Sequence, residues 1–340
     1  PTFSTKFKNA KSKIIMKNIL VAGGYGFIGS HFCHLLNEKN LNIFVIDSLT
    51  YAANVENLNG VNHKFFQCSI GNKEFVSHIL METDIDAVVN YAAESHVDNS
   101  ISNPDIFIQT NIVETHNLLQ SCLKFQEIKP NFRFLHVSTD EVFGDLSLED
   151  PKFTENTPYK PSSPYSASKA GSDHLVHAYI RTFGLNGVIT NCSNNYGTMQ
   201  NKEKLIPKII SRCLNQQPLT IYGTGQNIRD WIHVQDHCTG IFLALTKGIK
   251  GESFCFGGNC ELSVADVIHT ICRVMNRLKP RNSGLYEDLI IKIEDRKGHD
   301  FRYAIDDSKA QTQLGFARKN KTFEENIEEI VKREFLLEEK

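Results

Sequence analysis

No apolar run in this 340-residue chain approaches the ~20 residues needed to cross a bilayer. A surplus of charge is also missing. With 37 Lys and Arg against 39 Asp and Glu, the formal net charge is -2, too even to draw the chain to nucleic acid or an anionic membrane. Nine cysteines occur with no C-x-x-C pair. An odd, irregular set of thiols excludes a disulfide framework or a zinc site and reads as reduced cysteine in a cytosolic protein, with no metal expected. Internal repeats and low-complexity stretches are absent as well. What remains is 41% hydrophobic and 22% charged, the balance of a soluble globular protein long enough for one large α/β domain or two closely joined lobes.

Residues 1–15 carry lysine but no acid, and show neither apolar periodicity nor a secretory core. They read as a tag or disordered extension ahead of Met16-Lys17, with a targeting segment as the other reading. From Asn18 onward apolar runs alternate with helix-length segments. The pattern predicts strands over 18–22, 42–46, 64–68, 87–91, 133–138 and 187–192, and helices over 28–38, 73–81, 105–124 and 166–183. Such alternation predicts an α/β fold with a doubly wound parallel sheet, because each parallel crossover needs a long connection. Past Asn194 loops lengthen and turn signals cluster, with further helices over 264–276 and 323–335. The expected division is a dinucleotide-binding domain over 16–193. A smaller substrate lobe follows over 194–340, some of whose segments return to the first sheet.

The first strand runs into Gly23-Gly24-Tyr25-Gly26-Phe27-Ile28-Gly29. A glycine turn between strand and helix lets the backbone approach a pyrophosphate, and the helix N-terminus supplies N–H groups and a positive dipole end. Asp47 ends the second strand eighteen residues after Gly29. A carboxylate there accepts from a ribose 2′-hydroxyl and repels a 2′-phosphate, which favours NAD over NADP.

Tyr165 and Lys169 stand four residues apart at the start of a predicted helix, so they share one face. A free phenol titrates near ~10, and the expectation is that the ammonium and a positive nicotinamide ring bring it down toward neutral pH as a base for a substrate hydroxyl. After the fifth strand come Ser138-Thr139-Asp140-Glu141. Adjacent carboxyls at a strand end should divide labour, one pushed up and protonated, the other ionised. Elimination of water needs that pair.

With these blocks the chain resembles the extended short-chain dehydrogenases, and within them the dTDP-glucose 4,6-dehydratases. The resemblance is carried by GGYGFIGSHF, DSLTYAANVENL, AAESHVDNSI, TNIVETHNLL, STDEVFGDL, YSASKAGSDHLV, TNCSNNYG, EKLIPKII, IYGTGQNIRDWIHVQDH and DRKGHDFRYAID, in family order from Lys17 to Asp306. It implies a Rossmann-type fold with a C-terminal sugar-nucleotide lobe. It implies Asp140 as the acid at the C6 hydroxyl and Glu141 as the base at C5. Tyr165 would be the base at the C4 hydroxyl, Thr139 the holder of the C4 oxygen, and Lys169 the support of the phenol and the nicotinamide ribose. Cofactor contact is implied for Gly23, Gly26, Phe27, Ile28, Gly29, Asp47, Ser48, Thr50, Ser69, Ile70, Ala92, Ala93, Thr110 and Asn195. Ser69-Ile70 stands where the family usually has Asp-Ile at the adenine edge. Sugar-nucleotide contact is implied for Ser95, Asn194, Lys204, Leu205, Arg229, Arg296 and His299, and guanidinium forks suit a diphosphate independently of the resemblance.

The implied reaction is dehydration of dTDP-glucose through transient C4 oxidation, loss of water across C5–C6 and hydride return to C6. UDP-glucose as substrate, a nucleotide-sugar 4-epimerase and a non-catalytic NAD-binding regulator are the other readings. An epimerase has no need for an acid at C6. The resemblance also implies a homodimer through the helices over 105–124 and 166–183.

Overall fold

Runs such as Ile19-Leu20-Val21-Ala22 lack polar alternation, so both faces of the strand must be covered. The computed structural model, which describes residues 16–295 and 298–338, covers them. In chain order the first part comprises β1 (Asn18–Ala22), α1 (Phe27–Glu38), β2 (Asn42–Asp47), β3 (His63–Gln67), α2 (Lys73–Glu82), β4 (Ala87–Asn90), α3 (Val97–Ser102), α4 (Asp105–Phe107), α5 (Thr115–Ile128), β5 (Arg133–Thr139), α6 (Pro164–Phe183) and β6 (Gly187–Cys192). The second comprises β7 (Asn194–Tyr196), α7 (Leu205–Leu214), β8 (Leu219–Tyr222), β9 (Ile228–His233), α8 (Val234–Lys247), β10 (Ser253–Phe256), β11 (Glu261–Ser263), α9 (Val264–Leu278), β12 (Ile290–Ile293) and α10 (Phe323–Glu338).

Seven parallel strands form the main sheet in the order β10-β6-β5-β4-β1-β2-β3. Successive residues of each strand point to opposite faces. Val21 and Val45 pack under Phe32 and Leu36 of α1 and Ile241 of α8. Leu20 and Ile46 pack under Val76 and Ile79 of α2, Leu118 of α5 and Val176 of α6. Because β1 lies between β2 and β4, crossovers leave it in both directions and open a crevice at its carboxyl end. After β6 the chain leaves this sheet, and it returns with α8 and β10. The remaining elements pair as β11-β9-β7 and β12-β8 and bury a separate core with α7, α9 and α10.

The helix expected over 105–124 is present and continues to Ile128, but it is widened in its middle. Between α4 and α5 the residues Ile108–Glu114 form a π-helical stretch. Asn111 within it donates to the Glu94 carbonyl at 3.0 Å and to Ser168 Oγ at 2.8 Å, and accepts from the Glu94 N–H at 2.9 Å. Those tertiary bonds anchor the widened turn beside the crevice, and hydrophobic periodicity carries no trace of them.

Candidate active site

At the carboxyl end of β1 the backbone turns sharply at Gly23, whose φ is +77°. A Cβ there would lie 2.8 Å from Ala92 N, and one on Gly29 would lie 2.2 Å from the Gly23 carbonyl oxygen. Only glycine permits this close packing of turn, strand and helix. Gly26 caps α1 without a side chain, leaving the helix's first N–H groups turned to the crevice. Asp47 is pinned at the end of β2, accepting from Tyr25 N at 3.0 Å and Leu49 N at 2.8 Å. Burial pushes its carboxyl upward, and these two bonds oppose the shift.

Two adjoining cavities share Gly23, Gly26, Ala52, Tyr91 and Ala93. The smaller, about 100 Å³, is lined by Asp47, Ser48, Thr50, Ile70, Ala92 and Thr110 among others. The larger, about 270 Å³, takes in Phe27, Ile28, Gly29, Ser95, Thr139, Asp140, Glu141, Tyr165, Lys169, Asn194, Asn195 and Lys204. Four of its lining residues carry a buried polar atom with no hydrogen-bond partner among the described residues: Tyr91 Oη, Asp140 Oδ2, Ser193 Oγ and Asn194 Oδ1. The glycine cradle, the uncapped helix end and the pinned Asp47 fit the pyrophosphate and ribose of NAD.

The candidate reacting side chains come from two elements. Ser163 and Ser166 form a capping box with Pro164 in the first turn of α6, so Tyr165 is held at a rigid helix start with Lys169 one turn on. Across from them β5 ends in Thr139, which caps a short 3₁₀ turn over Asp140–Phe143 by accepting from Glu141 N at 3.2 Å. Thr139 also donates to Asp140 Oδ1 at 3.3 Å. Burial, then the charges of Glu141 and Asp230, push the Asp140 carboxyl well above its ordinary range, with Arg229 opposing. The direction is the one expected for the acid of the pair.

The downward pull expected on the phenol meets opposing effects from its surroundings. Burial, followed by the Glu141 charge, pushes Tyr165 upward. The buried Lys169 ammonium is itself held by the Val137 carbonyl, to which it donates at 2.8 Å. Burial lowers Lys169 itself, and the charge of Asp173 works the other way.

Other expected contacts lie elsewhere. The Arg229 fork is buried against backbone, donating to the carbonyls of Ile228 at 2.7 Å and Asp300 at 2.9 Å, with its guanidinium 4.2 Å from the centre of the Tyr303 ring. It lines neither cavity, nor does His299, which pairs with Asp295 at 2.7 Å. Leu205 opens α7 just behind Lys204, whose ammonium reaches the Ser95 carbonyl at 3.0 Å. The Ser69 hydroxyl faces Glu114. Arg296 lies outside the described residues, as do residues 1–15. Sequence reasoning missed Tyr91, Ser193 and Glu203 in the larger cavity, of which only Glu203 had a signal, its place beside Lys204.

Fold and site together define an enzyme of the extended short-chain dehydrogenase class. The family described as GDP-mannose 4,6 dehydratase matches residues 20–330. A dTDP-glucose 4,6-dehydratase of Haemophilus influenzae is 48% identical over 330 residues, covering 93% of this chain and 97% of that protein. The crystal structure of a dTDP-glucose 4,6-dehydratase from Streptomyces venezuelae with NAD bound is 39% identical, with a TM-score of 0.85 and coverage of 93% and 97% of the two chains. A UDP-glucose 4-epimerase from Thermotoga maritima shares the fold at a TM-score of 0.83 and 27% identity, over 94% of this chain and 99% of that one. The chain belongs to the dTDP-glucose 4,6-dehydratase family.

Proposed function

We propose that this chain converts dTDP-glucose to dTDP-4-keto-6-deoxyglucose with NAD as resident cofactor. The observation that carries the reading is that Tyr165 of α6 and Asp140 and Glu141 of the turn after β5 line one cavity beside the glycine cradle. When bound, NAD⁺ supplies the hydride acceptor for C4 and the donor for C6. Tyr165 takes the proton of the C4 hydroxyl, and Thr139 holds the C4 oxygen. The resulting ketone acidifies the C5 proton, which Glu141 removes while Asp140 protonates the C6 hydroxyl and water leaves. Glu141 then returns its proton to C5. Ser95, Asn194 and Lys204 line the same cavity and hold the sugar nucleotide, while Lys169 and Asn195 steady the cofactor side.

The buried Asp140 separates this reading from a 4-epimerase, which expels nothing from C6. A second copy of the chain covers the apolar face at Ile101, Ile106, Ile108, Val113 and Phe183, all of them exposed. No described helix is long and apolar enough to cross a membrane, and buried thiols such as Cys33, Cys122 and Cys238 suit a reducing cytosol.

Separate incubation with dTDP-glucose and UDP-glucose tests the reading. A keto sugar is expected from dTDP-glucose and little from UDP-glucose. Absence of keto sugar from both, in protein that retains nicotinamide, refutes it.

A further inference from the structure

The smaller cavity runs from Gly23 and Gly26, past Asp47 at the end of β2, to Cys68 and Ile70 just after β3. A dinucleotide whose pyrophosphate rests on the glycines and whose ribose meets Asp47 therefore places its base one strand further out. The wall at that end is closed by Thr110 and Glu114, both from the π-helical stretch. Four residues apart in a widened turn, they share a face.

Glu114 sits there in a built setting. Gly71 N donates to Ser69 Oγ at 2.9 Å, which commits that hydroxyl as acceptor. Its hydrogen goes to Glu114 Oε2 at 2.8 Å. Glycine at 71 makes the room, because a Cβ there would lie 2.7 Å from Glu114 Cγ. The Ser69 hydroxyl is thus spent on steadying the carboxylate, and the carboxylate lines the cavity. A carboxylate only accepts, and the one exocyclic group of adenine is an amino donor.

We propose that Glu114, steadied by Ser69, accepts a hydrogen bond from the 6-amino group of the cofactor's adenine and so selects adenine at that end. The proposal rests on the reading of NAD as cofactor. It assigns the base-recognising carboxylate to the π-helical stretch and not to the loop after β3.

Binding of NAD⁺ and of nicotinamide hypoxanthine dinucleotide, whose 6-oxo group accepts where the amino group donates, tests it. Calorimetry is run on the full-length chain stripped of nucleotide, as wild type and as Glu114→Gln. The wild type is expected to bind NAD⁺ about tenfold tighter than the hypoxanthine form, the scale of a charge-assisted hydrogen bond. Glu114→Gln, whose amide can turn to donate, should bring the two within about threefold. The ratio of two ligands on one protein is insensitive to general loosening. An unchanged ratio in the variant overturns the proposal and leaves the cofactor reading standing. Failure of the wild type to bind either dinucleotide overturns both.

Discussion

The hydroxyl of Ser138 donates to Asp173 Oδ2 at 2.8 Å, fastening the end of β5 to the middle of α6 behind Tyr165 and Lys169. Tyr159 donates to the same oxygen at 2.9 Å and Asn191 at 3.4 Å, and His136 Nε2 lies 3.4 Å from Oδ1. Burial pushes this carboxyl up to about 6. Asp173 stands one helical turn beyond Lys169, and its charge offsets the burial that pulls the ammonium down.

Asp173→Asn removes that offset. Lys169, already lowered by burial, should fall further and lose its proton at lower pH. The alkaline limb of the kcat/KM profile is therefore expected to move toward neutral pH. An alkaline limb that stays in place would show that Asp173 serves only packing.

Asp140 gives a stability prediction with a definite sign. Its carboxyl is raised in the folded chain, so folding takes up a proton over the interval between the ordinary value near ~4 and the folded one. The stability it contributes is complete below that interval and declines as pH rises through it. Asp140→Asn does not titrate. The variant should match wild type in urea unfolding at about pH 4 and surpass it at about pH 7, the margin growing by up to about 1.4 kcal/mol per pH unit. Turnover should fall at the same time, because the acid at C6 is gone. A margin that narrows with rising pH would contradict the assignment.

Tyr165→Phe and Glu141→Gln should stop the reaction at different points. Each is expected to lower kcat by about 10²–10⁴. Tyr165→Phe should show no absorbance of reduced nicotinamide on mixing with substrate. Glu141→Gln should accumulate it, yet admit no solvent deuterium at C5. Equal behaviour of the two variants in both measurements would dissolve the division of roles.

Asp47→Ser should admit a 2′-phosphate. The carboxylate is held by Tyr25 N and Leu49 N at the end of β2, where a phosphate would meet its charge. Fluorescence titration should show NADP⁺ affinity rising about tenfold and NAD⁺ affinity falling by a similar factor. Unaltered discrimination would place the selecting group elsewhere.

Much of the architecture was legible because its causes are local. Apolar stretches bounded by turns located β1 at 18–22 and β6 at 187–192, and both strands end at the residues expected. The glycine turn and the Tyr165 to Lys169 spacing carried the chemistry for the same reason, since a tight turn and one helical turn are short-range facts. Arg229 shows the limit. A guanidinium suits a diphosphate, but this one meets the carbonyls of Ile228 and Asp300, and the latter belongs to a segment 71 residues away. The π-helical stretch shows it again, its widened turn held by partners at Glu94 and Ser168.

By itself the sequence determined the doubly wound sheet, most of its strands and helices, and which groups are candidates for the chemistry, because periodicity and turn chemistry act over a few residues. Tertiary structure alone decided which groups are buried, and so which way Asp140, Tyr165 and Lys169 titrate, because desolvation depends on everything packed around a side chain. It also decided that Ser69 turns to Glu114 at the far end of the cofactor cleft, a contact that exists only once β3 and the π-helical stretch lie side by side.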